Sequence, residues 1–272
     1  MIRDITIGQY YPKESVLHRL DPRVKLIWTM IYMVSVFCFR HFLGLVFAIL
    51  FLGWIIKKSG ISLSYILKGL KPILFFLLFT IVIHIFSGDG TVLWKWGFLK
   101  ITKEGIQKAV FMGARLSLLV IGASMLTFTT TPNRLTDGLE QLLKPLGKLH
   151  VPVHEISMMM SIALRFIPIL VEETDKLMKA QMARGADFES GNIIRRTKSM
   201  VPLLVPLFVS AFRRANDLAM AMESRCYRGG EGRTKMKPLK YQKADYISFG
   251  VLFGYIVVCC FIYFLTGTFN LL

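Results

Sequence analysis

Apolar runs separated by short basic segments fill the first half of the chain, and long amphipathic repeats fill most of the second half. Five apolar stretches predict membrane-spanning helices: residues 26–39, 42–56, 72–86, 109–128 and 246–267. The first two are shorter than the roughly 20 residues of a perpendicular span. Flanking Lys25, Arg40, Lys57 and Lys58 extend them by snorkelling, so the pair predicts a tight helical hairpin turning at Arg40 and His41. Among the predicted spans, His84 is a lone imidazole and no Asp or Glu occurs, so a proton relay of intramembrane carboxylates is not expected. Arg115, early in the fourth stretch, is expected to snorkel outward, the alternative being a pair inside the bundle.

Residues 129–243 contain no complete spanning run. "TTTPNRLTDGLEQLLKPLG" opens with a helix-start signal, and its helix is expected to stop by Lys144-Pro145. Helical periodicity then covers 153–184, with Pro168 inside, and 193–227, with Pro202 and Pro206 inside. Each proline removes a backbone hydrogen bond and crowds the preceding turn, so each helix is expected to kink or break there. The segments before the prolines are apolar and those after them amphipathic. That pattern suits helices that dip along the membrane face and then project from it.

With 54% hydrophobic and 19% charged residues, the chain is too apolar for an ordinary soluble domain and too charged for spans alone. Its net charge of +17 flanks apolar runs without any nucleic-acid motif, so a cytoplasmic membrane surface, and not nucleic acid, accounts for it. The basic segments 1–25, 57–71 and 129–243 fall on one side if the N-terminus is cytoplasmic and the C-terminus outside. The loop after the third span breaks the pattern with Lys95, Lys100, Lys103 and Lys108, while Trp94 and Trp96 there suit an interfacial belt. The four cysteines form no CxxC pair, and His150 with His154 lacks further ligands, so no metal site is expected. The first apolar run follows a mixed-charge segment and reads as a retained span, not a cleaved signal.

Two long helical patterns end alike, in "LMKAQMARGAD" and "LAMAMESRCYRG". Arg184 continues the line of Leu170, Leu177, Ala180 and Gln181; Arg225 continues Ala211, Leu218, Ala221 and Met222. Both arginines therefore close an apolar stripe. One reading is a cation complementing the helix dipole, with Gly185 as a normal residue after the end. The other is docking: the stripe packs in a partner's groove and the guanidinium forks onto a carboxylate.

Ala183-Arg184-Gly185 with a second small-Arg-small triplet, Ser224-Arg225-Cys226, resembles the paired signature of the transmembrane T component of energy-coupling factor (ECF) vitamin transporters. "GQYYPKESVLHRLDPRVKLI", "TTTPNRLTDGLEQLLKPL" and "IALRFIPILVEETDKLMKAQMARGAD" resemble that family as well, so the likeness covers nearly the whole chain. The second triplet departs from Ala-Arg-Gly at Ser224 and Cys226, which is expected to loosen its cap.

The resemblance implies an all-α membrane protein of about five spans plus a cytoplasmic-side pair of long, proline-kinked coupling helices. Residues 1–128 would form an N-terminal membrane bundle of about four spans, 129–243 the cytoplasmic coupling segment and 244–272 a C-terminal span. It implies a non-catalytic subunit in a prokaryotic cell membrane, linking two cytoplasmic ABC ATPases to a substrate-binding S component for vitamin uptake. ATP and Mg would belong to the ATPases, with no cofactor held by this chain; consistently, no G-x-x-x-x-G-K-[ST] loop occurs. The ATPase-docking set carried over is Ala183, Arg184, Gly185, Ser224, Arg225 and Cys226. Flexible Met158, Met159 and Met160 are candidate S-component contacts, because thioethers adapt to differing partners. The rival functions are a self-sufficient secondary carrier, disfavoured by the carboxylate-free spans and the lack of repeat symmetry, and a membrane enzyme, for which no catalytic grouping is present.

Overall fold

The computed structural model describes residues 10–39, 41–86, 91–96, 99–186, 188, 193–230, 236 and 238–269. Arg40, at the expected hairpin turn, and the side chains of Trp94 and Trp96 lie outside what is described. The elements run α1 (Val16–Arg19), α2 (Pro22–Cys38), α3 (Phe42–Ser59), α4 (Leu63–Leu70), a 3-10 turn (Lys71–Ile73) and α5 (Leu74–Phe86). Then come β1 (Val92–Trp96), β2 (Leu99–Thr102), α6 (Lys103–Thr129), α7 (Pro132–Leu143) and a second 3-10 turn (Lys144–Leu149). The long helices α8 (Val153–Ala183), α9 (Ile193–Ser224) and α10 (Lys243–Phe269) complete the chain.

Among the described residues the protein is all-α apart from one small hairpin, and five helices are long and apolar enough to cross a membrane: Phe42–Ser59, Leu63–Phe86, Lys103–Thr129, Val153–Ala183 and Lys243–Leu265. This set differs from the sequence expectation at one place. Helix α2, with 17 residues, is short, whereas α8 qualifies because its apolar first half extends a 31-residue helix. Pro72 converts one turn between α4 and α5 to 3-10 geometry, since it cannot donate to the α ladder. In α8 and α9 the interior prolines do not break the helix. The β1–β2 hairpin, antiparallel with Trp94 opposite Ile101, stands where the sequence suggested only an interfacial loop.

Two compact units make up the chain: Gly8–Leu139 with Leu239–Leu272, and Glu140–Pro238. In the first, α6 packs on α2, α3, α4 and α5 around Tyr32, Val36, Leu45, Leu52, Leu118, Met125 and Phe128. Small residues on α6 permit this. A Cβ at Gly105 would stand 2.7 Å from the Ile85 carbonyl oxygen, and one at Gly122 2.6 Å from the Tyr32 ring. Without a hydrophobic drive in lipid, such close approach is what holds spans together.

A polar clasp joins the chain's early and late segments within this unit. Asp21 caps α2, accepting from the Arg23 amide at 2.9 Å, with Pro22 in the first turn. The Arg23 guanidinium forks onto Asp21 and lies 3.9 Å over the Tyr241 ring. Asp245 Oδ1 accepts from the Asp21 amide (2.8 Å) while Oδ2 accepts from the Gln242 amide (2.7 Å) at the start of α10. Buried Lys25 donates to the carbonyl of Thr129 at 2.9 Å, complementing the C-terminus of α6. His18 bonds Ser15 Oγ and the Tyr11 carbonyl, and burial holds its imidazole below the ordinary pKa. Arg115 pairs inside the bundle: it donates to the Phe39 carbonyl at the end of α2 and stacks on Phe111.

Candidate functional site

The two arginine triplets end their helices through the same backbone motif. At the end of α8, the Gly185 amide donates to the Met182 carbonyl (2.9 Å) and the Ala186 amide to that of Gln181 (3.0 Å). At the end of α9, the Cys226 amide donates to the Glu223 carbonyl (2.8 Å) and the Tyr227 amide to that of Met222 (3.0 Å). Both are Schellman closures, which require a left-handed residue after the cap. Gly185 supplies it at φ +88, and Cys226 supplies it at φ +55 without being glycine. Ser224-Arg225-Cys226 keeps both hydrogen bonds of the closure, and the expected loosening takes the form of backbone strain at Cys226, a side-chain-bearing residue in the left-handed region. Arg184 and Arg225 occupy the equivalent capping position in the two motifs. Both are exposed, and neither guanidinium bonds to another described residue.

The stripes that lead to the arginines are already used inside the protein. Helix α8 packs on α9, and Leu170, Leu177 and Gln181 on α8, and Ala211, Leu218 and Met222 on α9, are half-buried, whereas Ala180 and Ala221 of the same stripes are exposed. On the same stripes, Glu173 accepts from Ser210 Oγ at 2.5 Å and from the Arg214 guanidinium at 2.7 and 3.1 Å. Sequence reasoning missed these three residues, although Glu173 stands between Leu170 and Leu177 on the apolar line. A carboxylate in that position was the available signal.

Glu173 and Arg214 are 41 residues apart, as are Arg184 and Arg225. The helices thus meet at equivalent positions, and each arginine stands eleven residues beyond the ion pair, about 16 Å along its own axis. A second contact, His154 against Gly230, joins the start of α8 to the segment that follows α9. His154 also bonds Glu140 at 3.0 Å, and Ser157 donates to the same carboxylate, which fixes the start of α8. Of the methionines, Met158 is half-buried, while Met159 and Met160 are exposed on the outer side of α8.

The sequence model of the CbiQ family, described as cobalt transport protein, matches residues 13–236. An energy-coupling factor transporter transmembrane protein, EcfT, of Ruminiclostridium cellulolyticum is 57% identical over 251 residues, covering 92% of this chain and 94% of its own. The chain belongs to the energy-coupling factor transmembrane family. EcfT of Clostridium kluyveri is 55% identical over 261 residues (95% and 96% covered), and that of Bacillus subtilis 47% over 266 (97% and 99%). Family membership and the five apolar helices together make this a multi-pass membrane protein, the T component of an ECF transporter. The family match takes in Asp21, Arg23 and both arginine triplets, and ends before Tyr241, Asp245 and α10.

Proposed function

We propose that the chain is the non-catalytic coupling subunit of its transporter, passing the motion of two cytoplasmic ABC ATPases to a membrane-embedded, substrate-binding S component during vitamin or micronutrient uptake. The observation that carries this reading is the paired closure: two exposed arginines, unengaged by described residues, at equivalent helix ends and equal distances from one crossing point. Two equivalent docking points suit two equivalent ATPases. Each guanidinium would fork onto an acidic groove, with Ala183, Gly185, Ser224 and Cys226 keeping the flanks small. The ATPases bring ATP and Mg. Exposed Met159 and Met160, with Met158 beside them, would form an adaptable contact for S components. The N-terminus and the basic parts of residues 129–243 would face the cytoplasm, with the apolar first half of α8 at the membrane, and the C-terminus would lie outside, the side the basic segments favour.

The test is assembly. A charge-assisted contact is worth about 1.5–3 kcal/mol, and two-point attachment multiplies the losses. Arg184→Glu combined with Arg225→Glu should leave the protein inserted but release the ATPases on co-purification, with lysine at both positions restoring only part. Glutamate at Arg195 and Arg196 should be mild. A double variant that still retained both ATPases and transported normally would refute the docking role.

A further inference from the structure

A cavity of about 240 Å³ lies among α1, α2, α3, α6 and α10, entirely within the unit built on α6. Its wall is apolar, formed by Trp28, Phe51, Leu52 and Met125, with the Trp28 ring stacked on Phe51 at 5.3 Å. Trp54 and Ile247, 48% and 69% exposed, also line it, so it opens outward on the faces of two spanning helices.

Three side chains in the lining carry unused hydrogen-bonding capacity. Tyr32 is 4% exposed, yet its hydroxyl has no partner among the described residues. Lys25, 6% exposed, gives two of its three donors to the carbonyls of His18 and Thr129 and pairs with no described carboxylate. Lys58 stands exposed at the end of α3. No Asp or Glu lines the cavity, so its charge is wholly positive. Lys25 and Tyr32 are seven residues apart on α2, which separates the cationic end from the hydroxyl by about 10 Å.

A buried hydroxyl without a partner is costly unless something supplies an acceptor. An apolar wall, a cationic rim and an internal donor describe an amphiphile with an anionic head, a carbonyl below it and a hydrocarbon tail. We propose that this cavity binds one anionic phospholipid of the bilayer, its phosphate at Lys58 and Lys25 and an ester carbonyl at the Tyr32 hydroxyl. The start of one acyl chain lies against Trp28, Phe51 and Met125. The volume is below that of most small-molecule pockets, so the rest of the lipid stays in the bilayer. None of these residues belongs to α8 or α9, and the lipid site stands independently of the arginine docking.

Trp28 makes the site directly observable. In the full-length chain, Trp54→Phe, Trp94→Phe and Trp96→Phe leave it as the sole tryptophan. In dodecyl maltoside, brominated phosphatidylglycerol should quench Trp28 saturably, and at lower concentration than brominated phosphatidylcholine. Lys58→Gln, on the surface, should abolish that preference. Tyr32→Phe removes no bond seen in the protein, so it should fold as before while weakening both lipids about two- to tenfold, the worth of one hydrogen bond. Quenching that never saturates and is equal for the two lipids would mean annular contact only and would overturn the proposal. Saturable binding unaffected by both variants would overturn it too.

Discussion

The two helix closures differ in one atom-level respect, and the difference has a sign. Gly185 and Cys226 fill the same left-handed position, at φ +88 and φ +55. An L-residue there costs roughly 1–2 kcal/mol, and glycine loses roughly 0.5–1 kcal/mol more backbone entropy on ordering than alanine does. The net preference for glycine is therefore about 0.7 kcal/mol, roughly threefold in an opening equilibrium. A Cβ at Gly185 would meet nothing within 4 Å, so packing adds no further cost and conformation alone decides. Cys226→Gly should slow hydrogen exchange of the Tyr227 amide about threefold. Gly185→Ala should speed exchange of the Ala186 amide by a similar factor. Both values are read by deuterium exchange on the full-length chain, after correction for intrinsic rates. No change in either amide, or both changing in the same direction, would refute the reasoning that these ends are matched closures differing only in backbone strain.

Gly122→Val should destabilise the bundle by about 1–3 kcal/mol through overpacking against the ring of Tyr32. Gly113→Ala should cost less, because its Cβ would meet only the flexible end of Ile81 at 3.1 Å; thermal unfolding in detergent ranks the two, and a larger loss for Gly113→Ala would contradict the packing. For orientation, a thiol introduced at Asn270 in a cysteine-free background should react with an impermeant reagent from the outer face, whereas one at Glu189 should not. The reverse pattern would overturn the proposed sidedness.

Much of this architecture is legible in short stretches of sequence. The start of α7 at Pro132 and its end before Lys144-Pro145, the start of α8 at Val153 and the end of α9 near Arg225 depend on residues within about four positions of each boundary. The five apolar stretches sit within observed helices for the same reason: burial in lipid is set by local hydropathy. The placement of Arg184 and Arg225 at helix ends also follows from periodicity and small flanking residues.

What the tertiary structure alone decided concerns faces and distant partners. The sequence left the arginines as helix-dipole cations or as docking residues at the end of an apolar stripe, and the Glu173–Arg214 pair across 41 residues shows that part of each stripe is turned to the other helix. The expected outward snorkelling of Arg115 is corrected, because its guanidinium donates inward to the Phe39 carbonyl. Asp245 reaches the Asp21 amide across 224 positions, and the cavity beside Tyr32 gathers residues from five helices. Hydrogen bonding and periodicity within a helix fix where it begins, ends and turns its apolar side. Which of those sides meet, and which polar groups are left without a partner when they do, depends on how whole helices pack, and no local pattern encodes that.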